Sequence, residues 1–100
     1  MNSQYIRIVR MTFKKNRADE FLDFFETIKD EIKKFKGCRY IAMFKDERLE
    51  NVFAFYSAWD TKEYLEDYRK SSFYRRIWTQ TKSYFDAPPS AWSFTVCSEA

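Results

Sequence analysis

The chemistry open to this chain is set first by a residue it lacks. Among 100 residues there is no histidine, while 21 are aromatic: three Trp, seven Tyr and eleven Phe. Without imidazole there is no histidine base, no imidazole metal ligand and no His-ligated haem. A Ser/His/Asp or Cys/His arrangement is equally excluded. A single glycine cannot build a P-loop or a GxGxxG turn, so flavin and nicotinamide binding have no support. The carboxylates Asp19, Glu20, Glu63, Glu66 and Asp67 read as N-terminal helix charges that answer the helix dipole, not as an acid–base pair. What remains is guanidinium and phenol chemistry against large apolar walls.

Two residues carry that chemistry most directly. Arg10 shares a strand face with Ile6 and Ile8, where a cation is costly unless paired. It could hold an anionic substrate or stabilise an enolate or superoxide-like charge; alternatively it closes a salt bridge at the sheet end or snorkels to water. Arg7 and Arg39 invite the same reading with less force. Tyr68 falls on the apolar side of its helix, so its hydroxyl needs a partner or a cavity. It could donate to a substrate carbonyl or phenol; service as a base would need a pKa well below the usual ~10. Trp59, at a strand end, either walls a pocket for a flat ligand or packs under the start of the next helix, the commoner fate of a large aromatic there. The cluster Arg69, Lys70, Arg75 and Arg76 could bind an anion, but a solvated rim is the simpler reading.

The elements that must position these groups follow from periodicity. Tyr5 to Phe13 alternates as a strand, with Tyr5, Arg7, Val9, Met11 and Phe13 on one face and Ile6, Ile8, Arg10 and Thr12 on the other. A helix starts near Asn16, with Asp19 and Glu20 in its first turn. It lines up Ala18, Phe21, Leu22, Phe24, Phe25, Ile28, Ile32 and Phe35, and ends at Gly37. Cys38 to Lys45 forms a strand with Cys38, Tyr40, Ala42 and Phe44 on one face. After a polar connection, Val52 to Trp59 is apolar on both faces. Asp60 is expected to cap the next helix, with Glu63 completing a capping box. That helix runs from about Thr61 to Lys70. Ser71 or Ser72 starts a second piece carrying Phe73, Tyr74, Ile77, Trp78, Thr81, Tyr84 and Phe85. Pro88 and Pro89 end helical structure, and Ala91 to Cys97 is a last strand.

The order β-α-β-β-α(α)-β predicts an α+β, ferredoxin-like antiparallel sheet with its helices on one face, in a single domain over residues 1–100. Helices can cover only one sheet face, yet strands two and three are apolar on both. An exposed patch of that size points to an identical copy packed on the second face, a homodimer. The net charge of +3 comes from 18 basic and 15 acidic residues mixed along the chain, which argues against nucleic acid as a partner. No apolar run approaches the ~20 residues that cross a bilayer, and no signal peptide is expected, so no membrane partner is anticipated. Cys38 and Cys97 fit no metal spacing and read as reduced thiols of a cytoplasmic protein.

The opening IRIVRMTF, the helix end and strand KGCRYIAMF, and the run FYSAWDTKEYLEDYRKSSFY resemble the antibiotic biosynthesis monooxygenase (ABM) superfamily of dimeric α+β barrels. The likeness spans nearly the whole chain. It includes a strand ending in Trp, a helix cap, a Leu six residues after the Trp and a Ser-containing break. The resemblance implies a homodimer with a ligand cavity between sheet and helices in each subunit. It also implies cofactor-independent oxygenation of quinol-like aromatics in some members and haem degradation in others. Haem-degrading members place their histidine ligand where this chain has Trp78, a Trp at the position of Tyr68 and an Asn near Ile8. Trp78 cannot ligate iron through a donor-only N–H, so that branch is set aside. Quinol-oxidising members often carry histidines where this chain has Tyr68 and Phe73.

The expectation is a protein that binds a small flat aromatic or quinol-like molecule and oxidises it with dioxygen, with no metal, cofactor or prosthetic group. Arg10 and Tyr68 would be the catalytic groups; Ile8, Phe21, Phe25, Phe55, Trp59, Phe73 and Trp78 would bind the substrate. The alternatives are a non-catalytic binding or sensing module on the same dimeric scaffold, and an interaction protein whose aromatic side chains fill the cavity.

Overall fold

The computed structural model of the protein describes residues 4–100. The chain runs β1 (Tyr5–Thr12), a 3-10 turn (Lys15–Arg17), α1 (Ala18–Lys33), β2 (Cys38–Lys45), β3 (Val52–Trp59), α2 (Lys62–Lys70), α3 (Ser72–Lys82) and β4 (Ser90–Thr95). The strands form one antiparallel sheet in the order β2-β3-β1-β4, the ferredoxin-like arrangement.

The β1–β3 register decides what faces what. Tyr5 lies opposite Trp59, Val9 opposite Phe55 and Met11 opposite Phe53, so the largest aromatics of β3 share a face with Arg7 and its odd-numbered neighbours. This face meets the helices. Along α1, Phe21, Phe25, Ile28 and Ile32 are buried at four- and three-residue spacing against it, the stripe of an amphipathic helix. Phe13, stacked on Phe21 at 4.2 Å, and Trp59 are fully buried in the same core.

Gly37 ends the α1–β2 turn with φ of 84°, a left-handed backbone that glycine adopts without strain. It also sits directly beneath Tyr64 of α2, where any Cβ would overlap the tyrosine ring. Between α2 and α3, Ser71 does two jobs. Its extended backbone stops α2, while its Oγ accepts from the Tyr74 N–H at 3.0 Å and donates to the Tyr68 carbonyl at 2.7 Å. The change of helix direction at Ser71 brings the end of α2 and the inner side of α3 around one space.

The first helix starts beside Asn16 as expected, through a 3-10 turn over Lys15–Arg17 that leads into α1 at Ala18. Other local expectations are corrected. Thr61, not Asp60, caps α2, accepting from the Tyr64 N–H at 3.4 Å. The helix starts one residue later than the capping box requires, and the Asp60 carboxylate instead pairs with Arg39. In β2 a bulge between Cys38 and Tyr40 inserts an extra residue. Cys38 therefore turns inward beside Trp59, while Tyr40, Ala42 and Phe44 stay on the opposite face. The last strand is Ser90–Thr95, shorter than expected.

The second sheet face has no helix over it. Ile6, Ile8 and Arg10 of β1 lie there beside Ala58, Tyr56 and Ala54 of β3 and Phe94, Trp92 and Ser90 of β4. Tyr40, Phe44, Trp92 and Phe94 are each 46–52% exposed on this face. No helix among the described residues is long and apolar enough to cross a membrane.

Candidate functional site

A cavity opens between the sheet and the helices. Its volume is about 70 Å³, on a scale where one enclosed water needs roughly 10–15 Å³, so it has room for a small flat molecule. Its floor comes from Val9, Met11, Met43, Phe55 and Ser57 of the sheet. One wall is the α1 stripe of Phe21, Phe25, Ile28 and Ile32; the other is Leu65 and Tyr68 of α2 with Tyr74, Ile77, Trp78 and Thr81 of α3. Two cations, Arg7 and Arg69, complete the lining, and no carboxylate takes part. An apolar chamber with a few convergent polar groups is the usual form of a small-molecule site.

The polar groups are held from behind. Tyr68 is 4% exposed, stacked on Trp59 at 5.3 Å and edge-on to Phe35 at 4.9 Å and Tyr74 at 5.1 Å. Among the described residues no protein group hydrogen-bonds its hydroxyl. Burial, with smaller contributions from Tyr74 and Cys38, pushes its phenol well above the usual tyrosine range. It therefore stays protonated at any physiological pH and can act here as a hydrogen-bond donor, not as a base. Arg7 is half-buried and donates from Nη1 to Ser93 Oγ at 3.3 Å. Burial first, and then the nearby Arg69 guanidinium, lower its pKa. Neither arginine forms an ion pair with a carboxylate among the described residues. A surface cleft formed by Glu66, Arg69, Lys70 and Tyr74 adjoins the Arg69 side of the cavity.

Of the nine residues picked out from the sequence, five line this cavity: Phe21, Phe25, Phe55, Tyr68 and Trp78. Arg10 and Ile8 do not. They stand on the uncovered sheet face, because the β1–β3 register turns Arg7, not Arg10, toward the helices. Trp59 is buried behind Tyr68 with its indole N–H unpartnered, and serves as backing. Phe73 packs on Phe35 at 5.6 Å and lies under the Arg76 guanidinium, outside the lining. Sequence reasoning passed over Arg69 as part of a solvated rim and ranked Arg7 below Arg10. The alternation of Arg7 with Val9 and Met11 was the available signal. No group of three or more Cys, Asp or Glu side chains among the described residues could hold a metal ion.

Residues 4–80 match the antibiotic biosynthesis monooxygenase family. The chain belongs to that family. No curated protein matches this ABM chain. Solved structures do. A Nitrosomonas europaea protein, named for the antibiotic biosynthesis monooxygenases, superposes with a TM-score of 0.89 at 12% identity, over 97% of this chain and 93% of its own. The Rv0793 protein of Mycobacterium tuberculosis gives 0.87 at 13% identity, over 97% and 98%. A Caulobacter crescentus protein, also named for these monooxygenases, gives 0.89 at 11% identity, over 97% and 92%. At such identities the likeness carries the ABM fold alone. The lining offers no histidine or cysteine, and Trp78 presents only a donor N–H, which cannot ligate iron.

Proposed function

We propose that this ABM protein binds a small flat phenolic or quinol-like molecule between its sheet and helices and oxidises it with dioxygen, without metal or prosthetic group. The observation that carries the reading is the cavity itself: an open apolar slot between Phe25, Phe55 and Trp78, with the Tyr68 hydroxyl and the Arg7 and Arg69 guanidinium groups among its few polar groups. In such a reaction the substrate, as an enolate or phenolate, supplies the electrons. One oxygen atom enters an activated CH₂ as a carbonyl, and the other leaves as water with its two hydrogens.

The lining contains no carboxylate or imidazole to remove the substrate proton. Its contribution is electrostatic. Arg7 and Arg69 favour the ionised form of a bound phenol, as positive charge lowers the pKa of a neighbouring acid. Tyr68 donates a hydrogen bond to the developing oxyanion. In this reading Tyr68 has the donor role expected of it, and Arg7 takes the one first assigned to Arg10.

The same reading includes a homodimer formed through the uncovered sheet face, where Tyr40, Phe44, Trp92 and Phe94 are half-exposed. A clean monomer by light scattering at micromolar concentration would end that part. The free thiols Cys38 and Cys97 favour a reducing compartment, the cytoplasm.

The test is oxygen consumption with a panel of naphthols, anthrones and quinols. Uptake with one labelled oxygen atom retained in the product from ¹⁸O₂ is the expected result. Tight binding without uptake would instead establish the second reading, a binding or sensing module, which the absence of a base from the lining favours.

A further inference from the structure

The two arginines say more about the ligand than that it is aromatic. Arg7 and Arg69 line one cavity from β1 and α2, close enough for the Arg69 guanidinium to disfavour the charge on Arg7. Arg7 is half-buried, and among the described residues its one hydrogen bond to a side chain is to a neutral hydroxyl, Ser93 Oγ. Among the described residues no carboxylate pairs with Arg7. Glu66, the one carboxylate of the adjoining cleft, lies 4.0 Å from Lys62 Nζ, and Lys70 adds another cation there. A pair of like charges held beside an apolar slot is unfavourable in the empty protein and favourable once an anion lies between them. A phenolate alone compensates one of the two.

We propose that the natural ligand carries a carboxylate on its aromatic framework, with the ring in the slot near Phe25 and Phe55 and the carboxylate between Arg7 and Arg69. The inference rests on the reading of this cavity as the ligand site, and it adds the class of ligand: an aromatic acid. Arg69 is exposed, so it gathers the anion at the mouth; Arg7, half-buried, holds it against the ring. Toward the carboxylate the two act as binding and positioning residues, and the positive charge it leaves uncompensated still favours ionisation of the ring hydroxyl.

The experiment compares 2-naphthoate with 2-naphthamide, molecules of the same shape that differ by one charge. Calorimetric titration of the wild-type protein at low salt is expected to show naphthoate binding at least ~10-fold more tightly, the effect of a charge-assisted hydrogen bond over a neutral one. The preference should shrink in Arg69→Gln, shrink further in Arg7→Gln and vanish in the double variant, while naphthamide affinity falls by less than naphthoate affinity and an unchanged circular dichroism spectrum shows that the fold is intact. High salt should weaken the preference, because Arg69 sits in solvent. Equal affinity for acid and amide in the wild-type protein overturns the proposal without recourse to any variant. So does a preference that survives in the double variant, or binding of neither probe. Because the assay reads binding, it separates the two readings. Carboxylate preference without oxygen uptake keeps the aromatic acid and removes the oxidation, and uptake without preference does the reverse.

Discussion

Replacing Tyr68 with Phe isolates one hydroxyl from the packing that holds it. The ring contacts with Trp59, Phe35 and Tyr74, at 5.3, 4.9 and 5.1 Å, are all available to phenylalanine. The lost hydroxyl has no protein partner among the described residues, and a buried hydroxyl without one costs roughly 1–3 kcal/mol in mutational data. Y68F should therefore be as stable as the wild type or more stable by up to about 1 kcal/mol, since the cavity leaves the hydroxyl partly solvated. For a domain of this size that is a melting temperature unchanged or raised by about 4–8 °C. Function should move the other way. Loss of one oxyanion donor lowers kcat by about 10²-fold, and affinity for a bound naphtholate should fall by about 10-fold. Thermal melting by circular dichroism, calorimetric binding and an oxygen electrode read the three quantities. A melting temperature lowered by more than about 4 °C would show that the hydroxyl holds the fold. Unchanged binding and turnover in a folded variant would show that it never meets the ligand. Either result refutes the argument.

Burial of the Tyr68 phenol sets a pH dependence with a definite sign. The native state keeps a proton that the unfolded chain loses near pH ~10, so the contribution to stability is complete below that pH and is lost as pH rises above it. At least one of the seven tyrosines should ionise only as the fold is lost; ordinary titration of all of them in the intact protein, followed by phenolate absorbance, would contradict this. Gly37→Ala should cost about 2–5 kcal/mol in urea unfolding, from the left-handed backbone at φ 84° and overlap with the Tyr64 ring. Adding Tyr64→Ala should return none of the backbone cost and relieve only the ring part of the overlap, since the residue 64 Cβ at 2.6 Å remains; full additivity of the two losses would argue against contact with the ring.

Much of this molecule was legible as sequence because local chemistry specifies it. The alternation of β1, the stripe of Phe21, Phe25, Ile28 and Ile32, the stop at Gly37 and the cap at Ser71 each depend on residues within a turn or two of one another. The absence of imidazole removed whole classes of catalysis before any geometry was known. The apolar character of both faces of β3 pointed to an apolar face beyond the one the helices cover, and Tyr40, Phe44, Trp92 and Phe94 are half-exposed there. What the sequence by itself left open was which face of β1 the helices would choose. A strand of period two offers two faces, and each face of β1 carries an arginine: Arg7 or Arg10. Only the pairing of Val9 with Phe55 and Met11 with Phe53 sends Arg7 inward and leaves Arg10 outside. The bulge at Cys38 and the later start of α2 likewise arise from pairing between segments distant in sequence, Cys38 with Trp59 and Arg39 with Asp60. The meeting of Arg7, Arg69 and Tyr68 around one cavity is of the same kind. Periodicity states which residues share a face of an element, and long-range register and helix docking alone decide which faces meet.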